Sequence, residues 1–172
     1  MQDIQKVYDR ILYYKQGRDT FVETGTAVGE TCLWASSHFD KVVTVEYMDD
    51  LYESSVERLW NVDNIKLIHG DSALWVPLIV RAVGPAVWFL DAHNVNRQDG
   101  LTPPQETVVM KEIVEVSRAL ISKHIIIVDD LRLFGDVEGY PSMDDIKEFA
   151  ETVHMKVKEI PEEDLFVMGR GI

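Results

Sequence analysis

The chain has 172 residues and a mass of 19.7 kDa, and 46% of its residues are hydrophobic, which suits one folded domain spanning residues 1–172. Thirty acidic residues against seventeen basic ones give a net charge of −13, and no Lys/Arg cluster could follow a phosphate backbone, so we do not expect a nucleic-acid partner. The first ten residues lack the apolar stretch of a signal peptide, and no apolar run is long enough to cross a bilayer. The single cysteine, Cys32, cannot form an internal disulfide. We therefore expect a soluble, cytoplasmic protein with no membrane partner.

Short β-branched runs alternate along the chain with longer stretches of helical period, a pattern that predicts an α/β sheet. The chain opens with an amphipathic helix, since Ile4, Val7 and Ile11 recur at helical spacing and Gly17 is placed to end it. We predict seven strands, at Thr20–Glu23, Lys41–Glu46, Ile65–His69, Ala86–Asp91, His124–Asp129, Met155–Ile160 and Leu165–Gly169. Further helices are predicted to begin near Gly29, Asp49, Ser72, Pro103 and Ser142.

Several of these helix starts carry recognisable signals. Asp49 or Asp50 could cap one helix, and Ser142 with Asp145 three residues later resembles a capping box. The last two strands are separated only by residues 161–163, which is too short for a helix, so we predict an antiparallel hairpin at the sheet edge.

The first predicted strand runs directly into a glycine turn, Glu23-Thr-Gly25-Thr-Ala-Val-Gly29. Gly25 would let the backbone turn sharply and approach a ligand, and Gly29 would let the next helix start close to the sheet. The second strand ends in Glu46, whose carboxylate could accept both hydroxyl hydrogens of a ribose. Asp71 follows the third strand and could receive an adenine amino group, so three strand ends together favour a nucleoside ligand.

The same turn argues against a dinucleotide site. The dinucleotide fingerprint requires G-x-G-x-x-G, whereas this chain has Ala27 at the second glycine position and Glu30 at the third. Glu23, just before the turn, suits a positively charged amino group better than a pyrophosphate. S-adenosylmethionine (SAM) carries both an amino group and a sulfonium, so the sequence favours SAM over NAD.

The glycine turn resembles the first motif of class I SAM-dependent methyltransferases, and the resemblance extends over nearly the whole chain. It implies a Rossmann-like, seven-stranded, mostly parallel sheet with an antiparallel last strand and helices on both faces. It also implies that Glu23, Gly25, Thr26 and Gly29 surround the methionine part of SAM, Glu46 the ribose, and Asp71 with Ser72 the adenine, while Tyr47 or Met48 packs against the base.

The fourth and fifth predicted strands are apolar runs that end in ionisable groups, Asp91 with His93 and Asp129 with Asp130. Carboxylates that converge repel one another unless a cation or a proton intervenes. The arrangement resembles the metal-dependent O-methyltransferases of the catechol, caffeoyl-coenzyme A and macrocin-like sugar types. That resemblance implies Asp91, Asp129 and Asp130 as ligands of Mg²⁺, Mn²⁺ or Ca²⁺, where the metal would lower the pKa of a substrate hydroxyl.

The catalytic base departs from the catechol type, which has a lysine three residues after its first metal-binding aspartate, where this chain has Asn94. His93 is therefore the candidate base, with Asp91 as the other catalytic candidate and His69 as a rival for His93. We expect O-methylation of a small, polar, sugar-like hydroxyl substrate. A metal-free methyltransferase, a SAM- or nucleotide-binding domain without activity, and a homo-oligomeric state all stay open.

Overall fold

The computed structural model describes residues 3–92, 108–119, 123–137 and 139–172. Its strands are β1 Thr20–Thr24, β2 Lys41–Glu46, β3 Ile65–His69, β4 Ala86–Leu90, β5 Ile125–Val128, β6 Lys156–Ile160 and β7 Leu165–Gly169. They form one sheet in the order β3-β2-β1-β4-β5-β7-β6, in which β7 runs antiparallel to both of its neighbours and every other pairing is parallel. All seven predicted strands are therefore found, each end within one residue of its predicted position.

The helices are α1 Ile4–Lys15, α2 Glu30–Ser36, α3 Asp49–Leu59, α4 Ser72–Ala82, α5 Val108–Ser117 and α6 Met143–Thr152. The buried residues of α1 and α2, with Leu59 of α3, share one core with Phe21 and Phe89 of the sheet. The buried residues of α4, α5 and α6 share a second core with Val22 and Trp88, which point to the opposite face. The predicted Rossmann-like fold, with an antiparallel last strand and helices on both faces, is confirmed.

The helix starts agree with the sequence in part. The capping box of Ser142 and Asp145 is present, which confirms that prediction. The prediction that Asp49 or Asp50 caps α3 is wrong, since the cap residue is Met48 and both acids lie in the first turn. The backbone N–H of Met48 donates to Glu46, which holds Met48 in an extended conformation. The cap therefore lies one residue before the predicted Asp49. The predicted helix start near Pro103 lies outside the described residues, where α5 is described from Val108.

Cys32 is fully buried in α2, as its apolar neighbours predict. Burial raises the pKa of its thiol far above the ordinary value, and its Sγ lies 3.4 Å from the backbone oxygen of Gly29. A thiol in this environment is a packing group and not a nucleophile. Among the helices of the described ranges, none has the length and apolar character needed to span a bilayer.

Candidate functional site

The carboxyl ends of the parallel strands border a cleft on one edge of the sheet. β1 pairs with β2 on one side and with β4 on the other, so the direction of strand order reverses there, which is where open α/β sheets bind ligands. The cleft has an empty volume of about 350 Å³, and its lining residues are Gly25, Val45, Glu46, Tyr47, Gly70, Asp71, Ser72, Ala92 and Val108. The predicted residues Gly25, Glu46, Tyr47, Asp71 and Ser72 are therefore brought together, whereas Glu23, Thr26, Gly29 and Met48 do not line this cleft.

Gly25 lies where the turn after β1 packs against the end of β4. Its φ of +83° is in the left-handed region, and a Cβ there would lie 2.6 Å from the carbonyl oxygen of Asp91. The left-handed φ is consistent with the predicted sharp turn, and the described atoms nearest to a Cβ here belong to the backbone of Asp91 and Ala92, while the approach of a ligand stays a prediction. Gly25 thus lets β1 and β4 meet closely at the cleft.

Gly29 is the N-cap of α2, with a φ of +80°. A Cβ at this position would lie 3.2 Å from Cδ1 of Leu59, so the neighbour that requires a small residue is α3. Helix α2 packs directly against β2, and the missing Cβ of Gly29 also lets the start of α2 lie close to α3.

Glu46 is 4% exposed, and both of its carboxylate oxygens accept backbone hydrogen bonds. Oε2 accepts from the N–H of Ala27 and Oε1 from the N–H of Met48, each at 2.8 Å. Ala27 has a φ of +49°, which is uncommon for a residue with a Cβ, so Glu46 holds the glycine turn in a strained conformation. Each carboxylate oxygen can accept a second hydrogen bond, which leaves Glu46 able to receive ribose hydroxyls as well.

Glu23 and Thr26 are buried inside the turn and do not form the wall of the cleft. Thr44 Oγ1 donates to Glu23 Oε2 at 2.8 Å, and Thr26 Oγ1 lies 2.6 Å from the same Thr44 oxygen. Burial raises the pKa of Glu23 to about 8, against the opposing effect of the Thr44 hydrogen bond. The structure thus places Glu23 inside the turn, bonded to Thr44, and its contact with the methionine part of SAM stays a prediction.

Asp71 is both a helix cap and a cleft residue. Its Oδ1 accepts from the N–H of Ala73 at 2.9 Å and caps α4, while the residue also lines the cleft beside Ser72. The two roles are compatible because the cap occupies only one of the two carboxylate oxygens.

Asp91, Asp129 and Asp130 follow β4 and β5 as predicted, and their charges act on one another. Burial, then the charges of Asp129, Glu23 and Asp130, raise the pKa of Asp91 to about 8. Asp129 Oδ1 accepts from the N–H of Asp130 at 2.9 Å, and Asp130 Oδ1 pairs with Arg132 Nη1 at 2.7 Å. Within the described ranges, no group of three His, Cys, Asp or Glu side chains is placed to hold a metal ion together, and the metal site at Asp91, Asp129 and Asp130 stays a prediction.

The two candidate histidines differ in what the structure describes. His93 lies outside the described residues. His69, the rival base, pairs through Nε2 with Asp49 Oδ1 at 3.0 Å and stacks on Tyr52 with ring centroids 4.4 Å apart. It is a partly exposed group held at the end of β3 and does not line the cleft.

One buried acid beside the cleft, Glu112 of α5, was missed by the sequence reasoning. It is 0% exposed, and burial raises its pKa to about 7, against the opposing effect of the Ser72 and Thr24 hydroxyls. Its signal in the sequence is an acid within the apolar stripe of α5, between Val109 and Val116 at helical spacing.

Comparisons with known proteins extend this picture at the level of fold. No protein-family model and no curated protein sequence matches the chain. Among solved structures, the O-methyltransferase TomG of Streptomyces achromogenes, involved in tomaymycin synthesis and solved with SAM, has a TM-score of 0.68 and 17% identity, covering 98% of this chain and 79% of TomG.

Two further solved structures are similar over the same 98% of this chain. A Staphylococcus aureus protein provisionally assigned as a caffeoyl-CoA O-methyltransferase has a TM-score of 0.70 and 14% identity over 83% of its length. A Clostridium thermocellum protein provisionally assigned as an rRNA methylase has a TM-score of 0.65 and 14% identity over 96% of its length. The chain therefore has the class I methyltransferase fold, in agreement with the resemblance of its glycine turn.

Proposed function

We propose that this chain is a SAM-dependent methyltransferase that methylates a hydroxyl group of a small, polar, sugar-like molecule. The observation that carries the proposal is the cleft at the carboxyl ends of β1, β2 and β3, lined by Gly25, Glu46, Asp71 and Ser72 within a methyltransferase fold. The carboxylates of Glu46 and Asp71 suit ribose hydroxyls and an adenine amino group. TomG, which is similar in fold, was solved with SAM.

The acceptor is proposed from charge and position. The similar structures include proteins assigned to small-molecule and to rRNA methylation, so the fold alone does not select between them. A net charge of −13 opposes the approach of a polyanion and favours a small acceptor.

Bound SAM supplies a methyl group on a sulfonium, which an acceptor oxygen can attack. In the proposed reaction, His93 takes the proton of the acceptor hydroxyl as the new oxygen–carbon bond forms and the carbon–sulfur bond breaks, leaving S-adenosylhomocysteine (SAH). Asp91 lies two residues before His93 and next to Ala92, which lines the cleft, and this position supports Asp91 as the group that orients the acceptor. Most of the remaining catalysis is alignment of oxygen, methyl carbon and sulfur.

The binding proposal is tested by titrating SAH into the protein in a calorimeter. Wild type should bind SAH and not NAD, and Glu46→Ala should lose roughly 1 to 3 kcal/mol of affinity, because the ribose acceptor and the anchor of the glycine turn are removed together. Glu57→Ala removes the same charge from an exposed position on α3 and should bind SAH as wild type does. Binding of NAD without SAH, or an unaltered Glu46→Ala affinity, would contradict the assignment.

A metal-dependent form of the reaction is a second candidate, favoured by one observation. Burial, and then the charges of Asp129, Glu23 and Asp130, raise the pKa of Asp91, and a bound cation would relieve the repulsion among these carboxylates. The described side chains do not form a ready ligand set, so we derive no catalytic step from the metal.

Its test is the melting temperature in millimolar Mg²⁺, Mn²⁺ or Ca²⁺. A cation that binds only the folded state should raise the melting temperature by several degrees, and Asp129→Asn should remove most of the gain. Asp136→Asn, at an exposed position in the same part of the chain, should keep it. Equal melting temperatures with and without all three metals would leave the metal-free reaction.

A further inference from the structure

Glu112 sits where an apolar residue would be expected. Val109, Glu112, Ile113 and Val116 form the buried stripe of α5, and Glu112 is the one charged member of that stripe. Both of its carboxyl oxygens are buried, and neither has a hydrogen-bond partner among the described residues. The hydroxyl oxygen of Thr24, its neighbour, is buried and unpartnered in the same way. Polar groups in this condition destabilise the fold, so their presence calls for a reason outside folding.

The position of Glu112 relates it to the cleft. Val108, one helical turn before Glu112, lines the cleft, and so do Ser72 and Gly25, the residue after Thr24. The Ser72 and Thr24 hydroxyls are near enough to lower the pKa of Glu112, although neither Glu112 oxygen has a hydrogen-bond partner among the described residues. Glu112 is therefore buried one helical turn from a residue that lines the cleft.

The charges facing Glu112 are of its own sign. After burial, the charge of Asp71 at the start of α4 contributes to the raised pKa of Glu112. The charge of Glu112 in turn contributes, after burial and nearer carboxylates, to the raised pKa of Asp91, which follows β4. Removal of Glu112 would relieve this repulsion, so the Glu112 carboxylate lowers the stability of the folded protein. A role in ligand binding would account for its presence.

We propose that Glu112 is a positioning residue that orients the Ser72 hydroxyl at the adenine end of the cleft and thereby sets the affinity for the adenosyl ligand. In the ligand-bound site the Ser72 hydroxyl would donate a hydrogen bond to Glu112, which turns the lone pairs of the hydroxyl toward the cleft, where they can accept from the ligand. This inference rests on the proposed function, because it concerns the same cleft.

The experiment compares SAH affinity and melting temperature in Glu112→Leu and Glu112→Gln. Glu112→Leu should bind SAH about tenfold more weakly, the loss expected for one misplaced hydrogen bond, while melting at the same temperature or higher. Glu112→Gln keeps an acceptor oxygen and should bind within about threefold of wild type. Glu115→Leu, a change of the same kind on the less buried side of α5, should leave the affinity unaltered.

A double-mutant cycle with Ser72→Ala identifies the route of the effect. Ser72→Ala should weaken SAH binding about tenfold in the wild-type background but less than about twofold in the Glu112→Leu background, because coupled residues do not act additively. Additive losses would overturn the proposal, as would a Glu112→Leu variant that binds SAH like wild type or loses affinity only together with stability. Absence of SAH binding by wild type would instead refute the proposed function, and this inference with it.

Discussion

Gly25→Ala is expected to cost roughly 2 to 6 kcal/mol of folding stability, the sum of left-handed backbone strain and overpacking. The residue has a φ of +83°, and the added Cβ would be placed 2.6 Å from the carbonyl oxygen of Asp91. Neither atom belongs to a flexible side chain, so β1 and β4 would have to separate at the cleft. Urea denaturation of wild type and variant measures the loss, and SAH titration should show weakened binding even at temperatures where the variant is folded.

Gly17→Ala is the matched control for this change. Gly17 has a φ of +78°, nearly that of Gly25, but no atom lies within 4 Å of its ideal Cβ position. Its replacement should therefore cost only the backbone term, about 1 to 2 kcal/mol. Equal losses at Gly17 and Gly25 would show that the contact with Asp91 does not restrict the turn.

His93→Ala is expected to reduce methyl transfer about 10²- to 10⁴-fold while leaving SAH affinity unchanged, as loss of a general base does. The pH–rate profile should also lose the limb near the ordinary imidazole pKa of about 6.5. The measurement is SAH formation from SAM with a panel of sugar and catechol hydroxyl acceptors.

His69→Ala provides the comparison for His93. His69 is held by Asp49 and Tyr52 away from the cleft lining, so this variant should keep the wild-type rate. Undiminished turnover by His93→Ala at every pH would remove His93 from the mechanism and leave the metal or water as the base. Binding of SAH with no turnover of any acceptor would favour the alternative of a SAM-binding domain without activity.

Much of the fold could be predicted because its signals are local. The apolar runs of β4 and β5 and the helical spacing of Ile4, Val7 and Ile11 each lie within one element, and the short link at residues 161–163 leaves only a hairpin. The antiparallel position of β7 follows from that link. The start of α3 near Asp49 was predicted correctly, but its cap residue was not, because the backbone of Met48 is held by Glu46, a residue of the preceding strand.

In the candidate site, too, the features encoded within one element were predictable and the contacts between elements were not. Gly25, Glu46 and Asp71 were recognisable because each ends an apolar strand with a residue of unusual chemistry, and parallel strands bring such ends to one edge. The sequence by itself therefore determined the sheet, the edge that carries the cleft and the residues at its strand ends. Only the tertiary structure decided that Glu46 anchors the glycine turn, that Asp91 supplies the backbone against which Gly25 must stay small, and that Glu112 is buried without a hydrogen-bond partner among the described residues. These contacts join residues far apart in the chain, and the direction and distance of a side chain across such a gap depend on packing that no local pattern encodes.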